Sequence, residues 1–321
     1  IREVERRSDV VIVQLPLAAT WSLSNPRRPR VYQVCANLRQ MVATSTWYRG
    51  PKRLAAHLAA WVIDRNQSRL IERPDARMIA HGDELARHYG IEHGRAAVSA
   101  TILDREIISV PRRRPLNAPF RILFVGFLRH EKGVDTLLSA FRRVLTQIPD
   151  AELEIVGGRD SVDHGVAGQL LRELDELSRR ATVVHHGHLS FGPQLFQIFA
   201  DADVLVVPSR SEGTPRVLVE ARAFGCTVVG SAVGGIPTSI EDGVDGLLVP
   251  PNDSEALCAA LLRIADDGSL RKRLVAGGIK RARRCTVEAF ADQIYAEALR
   301  LNQEFRSPAA VEDPVLTKLV R

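Results

Sequence analysis

From Phe120 onward, short aliphatic and β-branched runs alternate with stretches in which apolar residues recur every three or four positions. Arg121 to Val125 predicts a strand. Val134, Leu137, Leu138, Phe141, Val144, Leu145 and Ile148 follow at helical spacing, which predicts an amphipathic helix with one face on a sheet. Leu153 to Val156 predicts the next strand, closed by Gly157-Gly158, and further strands fall at Thr182 to His185, Val204 to Val207, Thr227 to Gly230 and Leu247 to Val249. Helices are predicted to begin near Pro193, Pro215, Ile236 and Asp253. Strands and helices alternating in this way make a parallel sheet covered by crossover helices, a doubly wound α/β domain. Ligands of such sheets lie outside the carboxyl ends of the strands, so chemistry is expected in the loops after Val125, Val156, His185, Val207 and Gly230.

The first part of the chain carries the same pattern with fewer strands, at Val10 to Val13, Arg30 to Cys35, Arg77 to His81 and Ala97 to Ser99. A long helix is predicted from Lys52 to Ile71 and a short one after Asp83. Leu54, Leu58, Trp61 and Val62 on the long helix are assigned to core packing in preference to membrane insertion. The chain starts at Ile1 without a methionine, and this part reads as a domain whose remaining strands belong to a missing N-terminal segment. The prolines and charges from Pro111 to Pro119 predict a linker. A last helix from about Thr286, carrying Phe290, Ile294 and Leu301, is expected to brace the first domain, and the tail from Ser307 to be loose. The expected division is therefore 1–117, 118–285, a helix at 286–306 and a tail at 307–321.

Composition agrees with two globular domains: 321 residues, 45% hydrophobic and 26% charged. No apolar run approaches the ~20 residues that span a bilayer. Cys35, Cys226, Cys258 and Cys285 show no metal-type pairing, which favours a reducing cytoplasm. Charge is unevenly spread. Through Asn117 there are 20 basic and 11 acidic residues, whereas the whole chain has a net charge of only +6. The basic groups Arg27, Arg28 and Arg30, then Arg49, Lys52 and Arg53, then Arg112 to Arg114 read either as a solvated surface or as attraction to an anionic membrane face or acceptor. No aromatic residues interleave with them, so nucleic acid is not expected as a partner.

Candidate chemistry centres on Ser211 to Glu220. The strand ending at Val207 delivers the chain to Pro208-Ser209, and Thr214-Pro215 predicts a helix start with Thr as cap and Pro in the first position. Glu212 then lies just before the helix and Glu220 within it. The free N–H groups of a first helical turn, with the positive end of the helix dipole, suit phosphate or sugar hydroxyls. Carboxylates on both sides of that site suit a ligand that is anionic in the middle and hydroxylated at both ends, as a nucleotide diphosphate sugar is.

Pro208-Ser209, Glu212-Gly213, Glu220-Ala221, Gly225, Gly234-Gly235-Ile236-Pro237, Asp242-Gly243, Gly246 and Val249-Pro250-Pro251 occur in that order. Together they resemble the donor-domain signature of the group 1 (family 4) retaining glycosyltransferases of the GT-B fold. The resemblance implies an α/β protein of two Rossmann-like doubly wound domains facing a cleft, the N-terminal one incomplete here. It implies that Glu212 holds the transferred sugar and supports charge at its anomeric carbon, and that Lys132 neutralises the diphosphate. Glu220 would bind the ribose hydroxyls, and Gly213, Thr214, Pro215, Arg216 and Val217 would face sugar and phosphates. Arg129 would reach a phosphate, and Gly187, His188 and Leu189 would meet the base. The implied reaction is a metal-free front-face displacement onto a hydroxyl acceptor, a lipid-linked one among the candidates, in polysaccharide or glycolipid synthesis. Neither metal nor cofactor is expected, and the expected location is cytoplasmic or at the inner membrane face.

Three positions depart from the family pattern: Phe127 where an arginine is usual, Thr238 where an acid is usual, and Cys35-Ala36-Asn37 where a histidine is usual. They motivate an alternative, a non-catalytic sugar-nucleotide-binding subunit; an epimerase is a further rival. Two other signals carry no metal expectation. Asp201-Ala202-Asp203 reads as cap and turn, and His185, His186 and His188 as a strand end whose neighbouring side chains face opposite ways.

Overall fold

The computed structural model describes residues 7–16, 28–44, 50–90, 96–97, 101–115, 118–158 and 164–306. The expected tail from Ser307, together with Arg27, Arg49, Ser99, Leu116 and Asn117, lies outside the described residues. Two compact units form, one from Ile1–Val98 with Glu288–Arg321 and the other from Ser99–Val287. The division thus precedes the expected linker. The proline-rich stretch is bound along the second unit: Ile108 N donates to Ala223 O at 2.8 Å, Arg112 reaches Asp203 at 2.9 Å, and Arg113 N donates to Asp201 at 2.7 Å.

The first unit runs β1 (Val11–Leu15), β2 (Arg30–Val34), α1 (Leu38–Thr44), α2 (Pro51–Ile71), β3 (Ala76–His81), α3 (Asp83–His88) and β4 (Ala96–Ala97). Its sheet has the order β1-β2-β3-β4, every pair parallel. Alternation along the strands separates two cores. Tyr32, Val34, Met78 and Ala80 pack with Leu15, Leu70 and Leu85, while Val31 and Ile79 face the other way. The sequence pattern missed α1, a seven-residue helix whose cap is visible in retrospect: Asn37 Oδ1 accepts from Gln40 N at 3.1 Å.

One expectation fails on α2. Its core-facing positions are Ala60, Asp64, Gln67 and Leu70, whereas Leu54 is 76% and Leu58 62% exposed, with Trp61 and Val62 also outside. Asp64 is satisfied, with the Tyr89 hydroxyl 2.8 Å and His88 Nε2 3.0 Å from its carboxylate, whereas Gln67 accepts from the Tyr89 hydroxyl at 3.0 Å and its Nε2 is buried without a partner. The periodicity was real, but the polar stripe turns inward and the apolar stripe outward.

The second unit runs β5 (Arg121–Val125), α4 (Val134–Val144), β6 (Glu152–Val156), α5 (His164–Ser178), β7 (Thr182–Gly187), α6 (Pro193–Asp201) and β8 (Val204–Val207). It continues through α7 (Arg216–Ala223), β9 (Thr227–Ser231), α8 (Ile236–Ser239), β10 (Leu247–Val249), α9 (Ser254–Asp266) and α10 (Gly268–Ala282). The all-parallel sheet has the order β10-β9-β8-β5-β6-β7. The chain runs outward from β5 to β7 and then, starting again at β8, outward on the other side. The reversal lies between β5 and β8, which is where doubly wound sheets open a crevice. Leu137, Phe141, Leu153, Ile155, Val206 and Leu261 share one core on one face of this sheet, and Leu123, Leu205 and Val228, which alternate to the other face, are buried too, so the central strands are covered on both faces.

The final helix, α11 (Val287–Arg306), belongs to the first unit from Glu288 on. Phe290, Ile294, Ala298 and Leu301 cover Val31 and Ile79, and Arg77 pairs with Glu304. In the second unit a buried ion pair fixes α7. Arg222 is 2% exposed and donates to the Asp245 carboxylate at 2.6 Å, to Asp245 O at 3.1 Å and to Ser239 O at 2.8 Å. Removing the carboxylate leaves a guanidinium buried without its counter-charge. Asp245→Ala is expected to destabilise the second unit by about 3–5 kcal/mol in urea unfolding, and a loss below 1 kcal/mol would contradict that role.

Candidate active site

A cavity of about 300 Å³ opens at the carboxyl ends of β5 and β8, walled by Phe124 and Val125 from one strand and Val206 and Val207 from the other. The loops that continue these strands supply the polar side. Lys132 comes from the β5 loop, and Ser209, Glu212 and Thr214 from the β8 loop. Pro215, Arg216, Val217 and Glu220 come from the start of α7.

The two loops are pressed together. After β5 the chain makes a short 3₁₀ turn, His130–Lys132, and passes through Gly133 at φ +63° into α4. A Cβ at Gly133 would stand 2.0 Å from Pro208 O, so only glycine allows this approach. Arg210 then clamps the β8 loop to the β5 loop. Its N–H donates to Glu131 O at 2.8 Å, and its guanidinium reaches His130 O at 2.6 Å and both oxygens of Asp135 at 2.8 and 2.6 Å. Burial pushes Asp135 up, but the bonds and charge of Arg210 hold it below its ordinary value. The outcome is that Lys132 Nζ sits 2.5 Å from Glu212 Oε2, an oxygen that also accepts from Ser209 Oγ at 3.1 Å.

At the other side of the cavity, Glu220 accepts from Thr101 Oγ1 at 2.6 Å. Burial pushes its carboxyl above the ordinary value, and the Thr101 bond and the charge of Arg216 oppose that rise only in part. Between the carboxylates lies the amino end of α7, whose first N–H groups lack intrahelical partners and carry the positive end of the dipole. An anion seated there would meet Lys132, Arg216 and these N–H groups, with a carboxylate acceptor on either hand.

The helix starts one residue later than expected. Pro215, not Thr214, is the cap, and no side chain closes it. Just before it, Gly213 O accepts from Gly235 N at 3.0 Å, and Gly213 is not part of the cavity wall. Arg129 is likewise absent from the wall; its guanidinium stacks over the Phe127 ring at 5.1 Å. Gly187 ends β7 and His188 and Leu189 follow it, two strands and roughly 10 Å from β5, and the three do not line this cavity. Sequence reasoning missed Thr101 and Arg210. Thr101 is 119 positions from Glu220 and carried no local signal.

The declined metal signals have structural partners. His185 Nε2 lies 2.7 Å from Gly157 O, and Asp203 accepts from Arg112 and from Arg121 N, both at 2.9 Å. Among the described residues no three His, Cys, Asp or Glu side chains gather to hold a metal ion. In the first unit, Cys35 lies 3.7 Å from His81 Nε2, which is 2.8 Å from Gln33 Nε2, and burial pushes the Cys35 thiol up. A histidine is therefore beside Cys35 after all, supplied by the neighbouring strand.

The family described as Glycosyl transferases group 1 matches residues 119–267. A D-inositol 3-phosphate glycosyltransferase of Corynebacterium diphtheriae is 28% identical over 278 residues, covering 77% of this chain and 63% of the relative. One from Nocardiopsis dassonvillei is 32% identical over 228 residues, covering 65% and 52%. The chain therefore spans somewhat over half the length of these relatives. Among solved structures, sucrose-phosphate synthase from Thermosynechococcus elongatus matches with TM-score 0.65 at 23% identity, covering 94% of this chain and 75% of its own. HepE of Anabaena in complex with UDP matches with TM-score 0.69 at 20% identity, covering 93% and 81%. These likenesses establish the fold, α/β with parallel sheets of the GT-B kind.

The raised Glu220 carboxyl gives a test of the site's electrostatics. The folded chain holds that proton more tightly than the unfolded chain, so ionisation costs stability. The cost is absent below the ordinary value of 4.5 and grows as the pH rises through the elevated one. Glu220→Gln, which keeps an oxygen for Thr101, is expected to match or exceed the parent in urea unfolding near pH 7, with the difference vanishing towards pH 4. A variant less stable at neutral pH would contradict the assignment.

Proposed function

We propose, on the premise that residues 119–267 are a domain of the group 1 glycosyl transferases, that this chain binds a nucleotide diphosphate sugar and transfers its sugar to a hydroxyl acceptor with retention. The observation that carries the proposal is the convergence of Lys132, Glu212, Arg216 and Glu220 on one cavity around the amino end of α7. HepE has been solved with UDP and with UDP-glucose, which supports a uridine nucleotide as the first donor to try.

In this reading Glu220 accepts hydrogen bonds from the ribose hydroxyls. The diphosphate lies over the first turn of α7 and draws Lys132 away from Glu212. Glu212, still held by Ser209, then faces the sugar, where its charge supports positive charge developing at the anomeric carbon. As the glycosidic bond to phosphate breaks, Lys132, Arg216 and the helix dipole meet the departing charge, without a metal in this role. The leaving phosphate takes the acceptor's proton on the face from which the acceptor oxygen enters. Electrostatic stabilisation of this kind is worth about 10²–10³ in rate for one donor. The basic first part of the chain, with 20 basic and 11 acidic residues through Asn117, favours an anionic acceptor or an acceptor displayed on an anionic surface.

Thermal unfolding in the presence of UDP-, GDP- and ADP-sugars tests the proposal directly, since a ligand at a hundred times its dissociation constant adds about 2.7 kcal/mol. One nucleotide class is expected to raise the midpoint, and Glu220→Ala to abolish the rise. Lys132→Ala is expected to retain weakened binding but to slow transfer or donor hydrolysis by roughly 10²–10³. Unchanged binding in Glu220→Ala would remove its ribose role, and binding without turnover would leave a sugar-nucleotide-binding protein.

A further inference from the structure

The two carboxylates of the cavity are held differently. Glu212 pairs with Lys132 at 2.5 Å and with the Ser209 hydroxyl at 3.1 Å. Glu220 has the Thr101 hydroxyl, which donates to its Oε1 at 2.6 Å, and the charge of Arg216 one turn earlier on α7. Burial works against its ionised form, so whatever supports the charge decides how well the group accepts hydrogen bonds from a ligand. Arg216 is exposed on the first turn of α7, where a bound anion would draw its guanidinium. Thr101 is then the support that remains to Glu220 when the site is filled.

The segment that carries Thr101 is fastened at several points within the second unit. Ile102, the next residue, is fully buried, and its carbonyl accepts from Val287 N at 2.8 Å. Leu103 N donates to Glu106 Oε2 at 2.8 Å as the chain enters the short 3₁₀ turn Asp104–Glu106. Ile108 N then donates to Ala223 O at 2.8 Å, on the last residue of α7. Ile108 has φ +54°, a region that β-branched side chains rarely occupy, and its side chain is 48% exposed. Burial of Ile108 itself does not offset that strain, which persists because the bonds around it fix the backbone, a condition typical of ligand sites. The segment is thus tied to α7 at both ends, at Glu220 through Thr101 and at Ala223 through Ile108.

We propose that Thr101 is a positioning residue of the nucleotide site, whose hydroxyl pins Oε1 of Glu220 and leaves Oε2 to accept from the 2′-hydroxyl of a ribonucleoside diphosphate. The proposal rests on the reading of Glu220 as the acceptor for ribose hydroxyls. A carboxylate oxygen held in one direction discriminates strongly against a ligand that lacks the matching hydroxyl, because its lone pairs are then left desolvated and unpaired. A carboxylate that can swing, or that takes up a proton, loses that discrimination.

Calorimetric titration of the full chain with whichever of UDP, GDP and ADP it binds, and with the 2′-deoxy form of that nucleotide, tests the assignment. The parent is expected to bind the ribonucleotide more tightly than the deoxy form by about tenfold or more. Thr101→Val, which keeps the side-chain shape and removes the donor, is expected to weaken the ribonucleotide roughly tenfold and the deoxy form by less than about threefold. Thr101→Ser, which keeps the hydroxyl, is expected to retain the parent's preference. A general disturbance of the fold would weaken both nucleotides alike, and Thr101→Ala removes the donor a second way if valine lowers the unfolding midpoint. The proposal is overturned if Thr101→Val binds the ribonucleotide like the parent, if both forms weaken by the same factor, or if Thr101→Ser behaves as Thr101→Val does. In those cases the donor-site reading still stands as long as Glu220→Ala abolishes binding. A parent that binds none of the three nucleotides removes that reading, and this proposal with it.

Discussion

The second unit is organised around one close approach, that of the β5 loop to the β8 loop across the point where the strand order reverses. Gly133 makes it sterically possible, because any Cβ there would strike Pro208 O at 2.0 Å. Arg210 holds it closed with bonds to backbone and to Asp135. Only with the loops in this register does Lys132, from one side of the crevice, come within 2.5 Å of Glu212 from the other. A parallel sheet with this winding creates the crevice, and the clamp gives it a charge pattern.

That pattern is a compact electrostatic arrangement in a partly buried space. Glu212 has a cation and a hydroxyl as partners, so its charge is supported. Glu220 has one hydroxyl and a more distant arginine, and burial raises its carboxyl. A carboxylate kept in such surroundings costs stability, as ligand-binding groups often do, and hydroxyl donors from a ligand would relieve it. The positive elements, Lys132, Arg216 and the amino end of α7, line the same cavity as the two acids. The proposed ligand, with an anionic centre and polyhydroxylated ends, would use both kinds of group.

Much of this was legible in the sequence because local rules govern it. Buried parallel strands read as aliphatic runs, and β5, β8 and β10 fall at the expected residues; the other strands of this sheet shift by a residue or two at one end. The spacing of Glu212 and Glu220 places one before a helix and one inside it by geometry alone. What escaped was set by tertiary contact. Gly213 is held by Gly235 from the following loop, and Thr101 joined Glu220 from far away in the chain. The orientation of α2 was misassigned for a related reason. Periodicity reveals that a helix has two unlike faces, whereas Tyr89 and His88 decide that the polar one is buried. His81 illustrates the same limit, since only the pairing of β2 with β3 brings it beside Cys35.

The most direct measurement of the central claim is a crystal structure of the chain with a nucleoside diphosphate. The account predicts the diphosphate over the first turn of α7, with Lys132 Nζ moved from Glu212 onto a phosphate oxygen and the Glu220 carboxylate within hydrogen-bonding distance of the ribose hydroxyls. A nucleotide bound elsewhere, or one that leaves Lys132 on Glu212 and Glu220 on Thr101 alone, would contradict it.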